Sequence, residues 1–328
     1  MLEEIQFFIK RALFGGSGSI FCFHRVGYSS ERPCLLGSRY MWISQDKLDE
    51  ILSYIKKNLG FSFISLHEHL ENVVSAKKRR AVSITFDDGY RDNISVALPV
   101  LEKHDAPATI FVTTGLVDQV TPMWWVALEM FAAEDRSHSI SFEDMRRLCI
   151  SSGVDAVTSV FEQAGLAPDW SALSREHIMS WEDIRRHIAH PLITFGAHTI
   201  SHPSLASLTV AEAQHEMVAS RERLREQTGL EPTVLAYPFG SPGECGVREF
   251  DLAREVGFRA AVTTQPGNLY PSHREKMFSL PRTCLSEPQI SFPLLANKLS
   301  GYDDFRHGRR RGDAGCRFGL SVDNVRHY

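Results

Sequence analysis

The chain has 328 residues, 43% of them hydrophobic and 23% charged, with a formal net charge of -4. That length holds one large domain or two average ones with ample core, and the composition is ordinary for a soluble globular protein. The charge balance gives no electrostatic reason to expect a nucleic-acid partner, and six scattered cysteines without a CxxC pair suit free thiols in a reducing compartment rather than a disulfide framework or a cysteine zinc site.

The N-terminus, "MLEEIQFFIKRALF", has Glu3 and Glu4 where a secretory leader needs positive charge, and Lys10 and Arg11 interrupt its apolar run. Ile5, Phe7, Phe8, Ile9, Leu13 and Phe14 predict a short amphipathic helix within residues 1–19. It either docks on its own protein or lies on a membrane as a peripheral contact. No stretch approaches the roughly 20 uninterrupted apolar residues of a spanning helix. The expected location is cytoplasmic.

After a Gly-rich break, "SIFCFHRV" reads as a buried strand. "SQDKLDEILSYIKKNLG" follows as a helix, with Ser44 at its N-cap and Gly60 as its stop. "FSFISLHEHLENVVSA" is a strand and then a helix, "AVSITF" a strand, "SVALPVLEKHD" a helix, and "APATIFVTTG" a strand. Between about 120 and 182 the pattern is helical only: "WWVALEMFAA", "SFEDMRRLCISSG", "DAVTSVFEQAG" and "SWEDIRRHI". Strand–helix alternation resumes with "PLITFGAHT", a long helix to about residue 229, "TVLAYPFG", "REFDLAREVG" and "RAAVTT". Repeated units of this size imply parallel strands with helices outside them, and about seven fit a barrel better than an open sheet. From about residue 286 the periodicity is lost, and "RHGRRRGD" (306–313) reads as part of a solvated tail or a contact for anionic lipid.

In parallel α/β folds, functional residues collect at the C-terminal ends of strands. Four such ends carry polar residues here: His24, the adjacent pair Asp87 and Asp88, the pair His198 and His202, and "YPFG". Each has an ordinary explanation alone, since Asp-Asp-Gly suits a turn and histidines four apart suit an exposed helical turn. Together they suggest more. Two imidazoles four residues apart on one helical turn face the same side and can bind one divalent cation. One carboxylate completes a facial His-His-Asp set with open positions for water and substrate. The second carboxylate, unliganded but near, can then take the water's proton, and the cation's charge offsets the repulsion between the two.

The stretches "TFDDGY" (85–90) and "HTISH" (198–202), about 110 residues apart, resemble the first two motifs of the NodB-type polysaccharide deacetylases, carbohydrate esterase family 4. The resemblance runs from about residue 20 to 285. It implies a distorted (β/α)7 barrel interrupted by a helical insertion at about 120–182, followed by a tail at 286–328. The implied activity is metal-dependent hydrolysis of N-acetyl groups on amino sugars. Asp87 would be the base, and Asp88, His198 and His202 would hold the metal. Zinc suits two histidines and one aspartate best, with cobalt, nickel or manganese able to serve the same set.

The departures from the family pattern matter as much. The third motif, commonly Arg-x-Pro-Tyr, reads "AYPFG" here, with Ala236 at the arginine position and Phe239 at the tyrosine position. The tyrosine's contribution is a backbone N–H to the developing oxyanion, which Phe239 can still supply. The missing arginine normally orients the aspartate base. Arg282 in "SLPRTCL" is a candidate replacement, because that segment falls where the last barrel strand should end, although pairing with another carboxylate stays open. The fifth-motif histidine, the family's general acid, is absent as well. "FHRV" resembles the Tyr-His motif of the poly-N-acetylglucosamine deacetylase branch, which makes His24 the candidate acid, with a purely structural strand-end histidine as the other reading. Trp124, Trp125, Trp170 and Trp181 in the insertion are expected on buried helix faces, with one exposed Trp left to stack on a sugar.

The expected function is therefore removal of N-acetyl groups from an amino-sugar oligo- or polysaccharide, a chitooligosaccharide or a cell-envelope glycan precursor. The alternatives are deacylation of a formamide or O-acetyl ester on a lipid-linked sugar, and saccharide binding without turnover.

Overall fold

The computed structural model describes residues 2–77, 79–134 and 140–308. Among these residues, ten strands follow in chain order: β1 (Ser19–Phe23), β2 (Arg25–Gly27), β3 (Trp42–Ser44), β4 (Ser62–Phe63), β5 (Ala81–Phe86), β6 (Ala108–Val112), β7 (Ile193–Ala197), β8 (Val234–Ala236), β9 (Ala260–Val262) and β10 (Thr283–Cys284). All but β2 and β3, which pair with each other, belong to one parallel sheet of order β10-β1-β5-β6-β7-β8-β9, with β4 added at the start of β5. The sheet curls until its ends approach. Val262 in β9 bridges Leu280, and the segment before β10 runs along β9 through Leu280 N–H to Ala261 O (3.1 Å) and Arg282 N–H to Gln265 O (3.0 Å). Most of the strands are short, and one seam is closed by irregular chain. The expected distorted barrel of parallel strands is the fold observed.

Strands buried on both faces explain why their sequences read as apolar runs. Alternation then sorts each strand's residues between two layers. Ile20, Phe111, Val234, Ala236, Ala260 and Val262 form the barrel's inner core, plugged at its N-terminal end by Leu66, Leu70 and Val73 of helix Leu66–Val74. Phe21, Phe23, Val82, Ile84, Phe86 and Leu235 face outward to the helices. By the same parity Cys22 and His24 follow Ile20 inward, and Ser83, Thr85 and Asp87 run up the inner face of β5.

Helix Leu2–Phe14 docks on the domain, with Phe7 buried and Phe14 stacked on Phe305. Its docked side also holds Arg11, whose guanidinium donates to the carbonyls of Gly16 (3.0 Å) and Arg79 (2.9 Å). Ile5, Phe8, Ile9 and Leu13 remain exposed on the opposite side. No helix among the described residues is long and apolar enough to cross a membrane.

Four helices lie between β6 and β7 beyond residue 120: Trp124–Ala133, Phe142–Gln163, Trp170–His177 and Trp181–His187. The second of these joins two stretches that read as separate helices, across a break at Gly153 (φ 80°). The expected tail beginning at 286 is corrected over its first part. Residues Phe292–Ser300 and Tyr302–Arg306 are helical and bury Leu295, Leu299 and Asp304. Asp304 accepts from the Asn268 N–H (2.9 Å) and the Tyr270 hydroxyl (3.0 Å), tying this segment to the loop before β10. Both helices are under three turns long, too short to show a clear apolar period. The basic run beyond residue 308 lies outside the described residues.

Candidate active site

The chain turns sharply where β5 ends. Asp87 N–H donates to Phe23 O (3.0 Å), and Asp88 (φ 73°) and Gly89 (φ 82°) then both take left-handed conformations. Asp tolerates that region better than most residues and Gly adopts it freely. The turn points two successive carboxylates into different surroundings, and both are buried.

Asp87 meets Arg282. The guanidinium donates in parallel from Nη1 to Oδ1 (2.7 Å) and from Nη2 to Oδ2 (2.7 Å), with further bonds from Nη1 to Thr85 Oγ1 (3.0 Å) and from Nε to Thr263 O (2.9 Å). Arg282 is fully buried, and such a two-point pair fixes a carboxylate's plane as well as its charge. Burial alone would push the Asp87 pKa up, but Arg282, aided by His198, outweighs it and holds the carboxyl far below the usual range. Arg282, immediately before β10, thus reaches the aspartate in the absence of an arginine at position 236, and Ala236 leaves its interior position small. A contact that sequence reasoning missed adds to this group: the Cys22 thiol donates to Asp87 Oδ2 at 3.3 Å.

Asp88 meets the two histidines. Its Oδ1 lies 3.5 Å from His198 Nε2 and 3.4 Å from His202 Nε2, and no hydrogen bond satisfies it although it is buried. His198 Nδ1 sits 2.7 Å from Ala236 O, which can only accept, so that nitrogen carries a proton. A neutral His198 then turns an Nε2 lone pair toward the Asp88 oxygen. Two acceptors facing each other need a proton or a cation between them. Burial holds His202 at about 4, neutral at pH 7. For His198 burial also lowers the pKa, but the nearby carboxylates of Asp88 and Asp87 more than offset it.

The donor set fits a divalent cation. Ligands bonded at roughly 2.0–2.2 Å in a tetrahedral shell lie about 3.3–3.6 Å apart, which matches the two separations observed. The His198 Nδ1–H bond to a backbone carbonyl is the second interaction that metal-bound imidazoles usually make.

The expected helical turn at 198–202 is not what unites the histidines. Thr199 (φ 64°) and His202 (φ 55°) are left-handed, so the segment folds as an irregular loop. Glu216, from helix Val210–Thr228, pins that loop by accepting from Ile200 N–H (2.8 Å), Ser201 N–H (3.0 Å) and Ser201 Oγ (2.7 Å). Sequence reasoning missed Glu216, because no motif ties a mid-helix glutamate to loop residues 15 and 16 positions earlier.

His24 lies on the other side of Asp87. A nitrogen of its ring, the Cys22 sulfur and an Asp87 oxygen fall within 4.8 Å of one another. Its backbone carbonyl accepts from Asn93 Nδ2 (2.7 Å), while its half-buried imidazole makes no hydrogen bond among the described residues. Phe239 is left-handed (φ 59°), and its ring packs 4.9 Å from that of His202. Its carbonyl accepts from Thr264 Oγ1 (2.6 Å), and its N–H has no acceptor among the described residues. The insertion forms one wall. Trp125 packs 5.7 Å from His202 and donates to the buried Tyr90 hydroxyl (2.6 Å), and Arg146 lies over the Phe239 ring at 5.5 Å. The expectation of an exposed sugar-stacking Trp is corrected: Trp124 and Trp125 are buried, and Trp170 and Trp181 are half-buried.

These residues stand beside three comparisons. The family described as "Polysaccharide deacetylase" matches residues 75–261. "Putative polysaccharide deacetylase YxkH" of Bacillus subtilis (strain 168) is 25% identical over 204 residues, 60% of this chain, and the chain spans about half (52%) of that relative's length. Among solved structures, the Streptococcus pyogenes deacetylase PplD in complex with acetate superposes with a TM-score of 0.60 at 20% identity, over 87% of this chain and 99% of its own. IcaB from Ammonifex degensii does so at 0.58 and 20%, over 88% and 98%. The two structures bear on the fold alone, and the family match covers more than half of the sequence. The chain belongs to the polysaccharide deacetylase family.

Proposed function

We propose that this chain is a metal-dependent hydrolase that removes N-acetyl groups from an amino-sugar-containing oligo- or polysaccharide, working through residues 20–285. The observation that carries the reading is the buried, unsatisfied Asp88 Oδ1 between two imidazole nitrogens, beside a second carboxylate already neutralised by Arg282. Asp88, His198 and His202 would hold the cation, zinc first by donor type. Bound there, a divalent cation lowers the pKa of its water and polarises a carbonyl oxygen.

Asp87 would take the proton of the attacking water. Arg282 keeps Asp87 ionised and fixes its orientation. Oδ1 accepts one bond from Arg282 and retains a lone-pair site for the incoming proton. The unengaged Phe239 N–H serves as oxyanion donor, held by the left-handed conformation at its own Cα. His24, with no competing hydrogen bond, protonates the departing amine, which leaves poorly unless protonated. Trp125 and Phe239 pack against the His202 ring.

The test is acetate release from chitooligosaccharides, with chelation and metal re-addition. Activity should vanish on chelation, return with zinc, and stay absent in His202→Ala under both conditions. Full activity after exhaustive chelation would sink the metal assignment. Release of acetate only from O-acetyl sugars would move the substrate assignment to esters.

A further inference from the structure

Cys22 and Cys284 are partners in the register between the parallel strands β1 and β10. Residues paired this way share one face of a sheet, so Cys284 lies on the inner face from which Cys22 reaches Asp87. Neighbouring strands run roughly 4.7–4.9 Å apart, within the separation of about 4.4–6.8 Å that a disulfide spans between Cα atoms. Each thiol lies close enough to perturb the other's ionisation. They differ in access, Cys22 being buried and Cys284 exposed.

The cysteines also differ in reactivity. The neighbouring Cys22 thiol lowers the Cys284 pKa, and the Arg282 charge assists. Burial pushes the thiols of Cys149 and Cys245 up to about 11 and about 12, and it raises exposed Cys34 with the help of Glu129. Among the described cysteines Cys284 alone is shifted toward thiolate, the attacking form.

We propose that Cys22 and Cys284 form an oxidisable dithiol, a modification site at which disulfide formation withdraws the Cys22 thiol from Asp87. The co-reactant is a small disulfide, R–S–S–R. Cys284 thiolate attacks one of its sulfurs, forming a mixed disulfide and expelling RS⁻. Cys22 gives up its proton and attacks the Cys284 sulfur, expelling the second RS⁻. Two protein thiols lose two electrons and two protons in all, and the reagent leaves as two RSH. The new bond removes one of the three donors on Asp87 and fixes the Cys22 sulfur toward β10. The effect on turnover rests on Asp87 being the base; the bond itself does not.

The experiment treats the full-length, metal-loaded protein with dithiodipyridine and maps its peptides without reduction. The expected result is a linked Cys22–Cys284 pair, two hydrogens lighter than its reduced parts. Acetate release should fall roughly tenfold, the worth of one hydrogen bond to a charged group, and recover with dithiothreitol. Cys284→Ser and Cys22→Ser should each hold their own untreated rate through the same treatment. Cys22 recovered as a free thiol beside a pyridyl adduct on Cys284 overturns the proposal, as does an equal fold-loss in both serine variants. If the wild type releases no acetate from any substrate, the functional reading fails, while the peptide map still decides the dithiol.

Discussion

His69 and His198 are both fully buried inside the same barrel, one near its N-terminal plug and the other where the strands end. Each has one ring nitrogen engaged. His69 Nδ1 lies 2.8 Å from Ser83 Oγ, which itself donates to Ile64 O (2.9 Å), so the imidazole must be the donor between them. His198 Nδ1 donates to Ala236 O. What separates them is the other nitrogen. His69 Nε2 meets no hydrogen-bond partner and no carboxylate, whereas His198 Nε2 faces Asp88 Oδ1. Burial holds His69 at about 4, a neutral structural residue. At the other end, carboxylates and imidazoles are gathered in a way that costs folding energy unless a cation joins them. The N-terminal end of the barrel spends its polar residues on stability, and the C-terminal end holds the arrangement proposed above to carry the chemistry.

Substitutions at the two ends should therefore fail in opposite ways. The largest effect on turnover is expected from replacing His198 and His202 together by Ala. Loss of the cation's several kcal/mol should cut kcat/KM by about 10³-fold or more, with metal content near zero by elemental analysis; retention of one metal per chain breaks the assignment. Arg282→Met leaves Asp87 charged and unpaired in the interior, a loss of about 3–5 kcal/mol. Both Tm and activity should fall, and an unchanged Tm would mean that the pair contributes little to the fold. His24→Ala should lower kcat by about 10²-fold with little change in Tm, and near-full turnover rules out the acid role.

The smallest effect belongs to the N-terminal end and appears in stability rather than turnover. The folded His69 pKa of about 4 lies below the ordinary value of 6.5, so the unfolded chain binds more protons between those values. The resulting stability is complete above about pH 6.5 and is lost as pH falls toward 4. Between pH 7 and pH 5 His69 alone should account for about 2 kcal/mol of lost stability. Denaturant melts of wild type and His69→Asn at both pH values would show it as a steeper decline in the wild type; parallel declines remove the contrast between the two ends.

Much of this was legible in the sequence, for identifiable reasons. "AVSITF" and "ATIFV" read as strands because a parallel sheet buries both faces and leaves an apolar run. Arg282 could be located because the barrel's periodicity places it at a strand end, where side chains converge. The route by which His198 and His202 meet could not be read. Helical spacing offered a simple explanation, but the chain uses left-handed Thr199 and His202, a choice stabilised by Glu216 from a distant helix. Cys22 was equally hidden, since its contact with Asp87 depends on the register between β1 and β5 and on which face each strand turns inward. The helices at 292–306 escaped notice because their identity comes from packing against residues 2–14 and 268–270 rather than from an apolar period of their own.

The central claim is that Asp87, held by Arg282 beside a cation on Asp88, His198 and His202, takes the proton from water during deacetylation. The most direct measurement is acetate release from an N-acetylated glucosamine oligomer by zinc-loaded wild type and by Asp87→Asn, with equal metal content verified in both. The account predicts a loss of about 10²–10⁴-fold in kcat while metal binding is kept. Comparable turnover by the two proteins at equal metal content would contradict it.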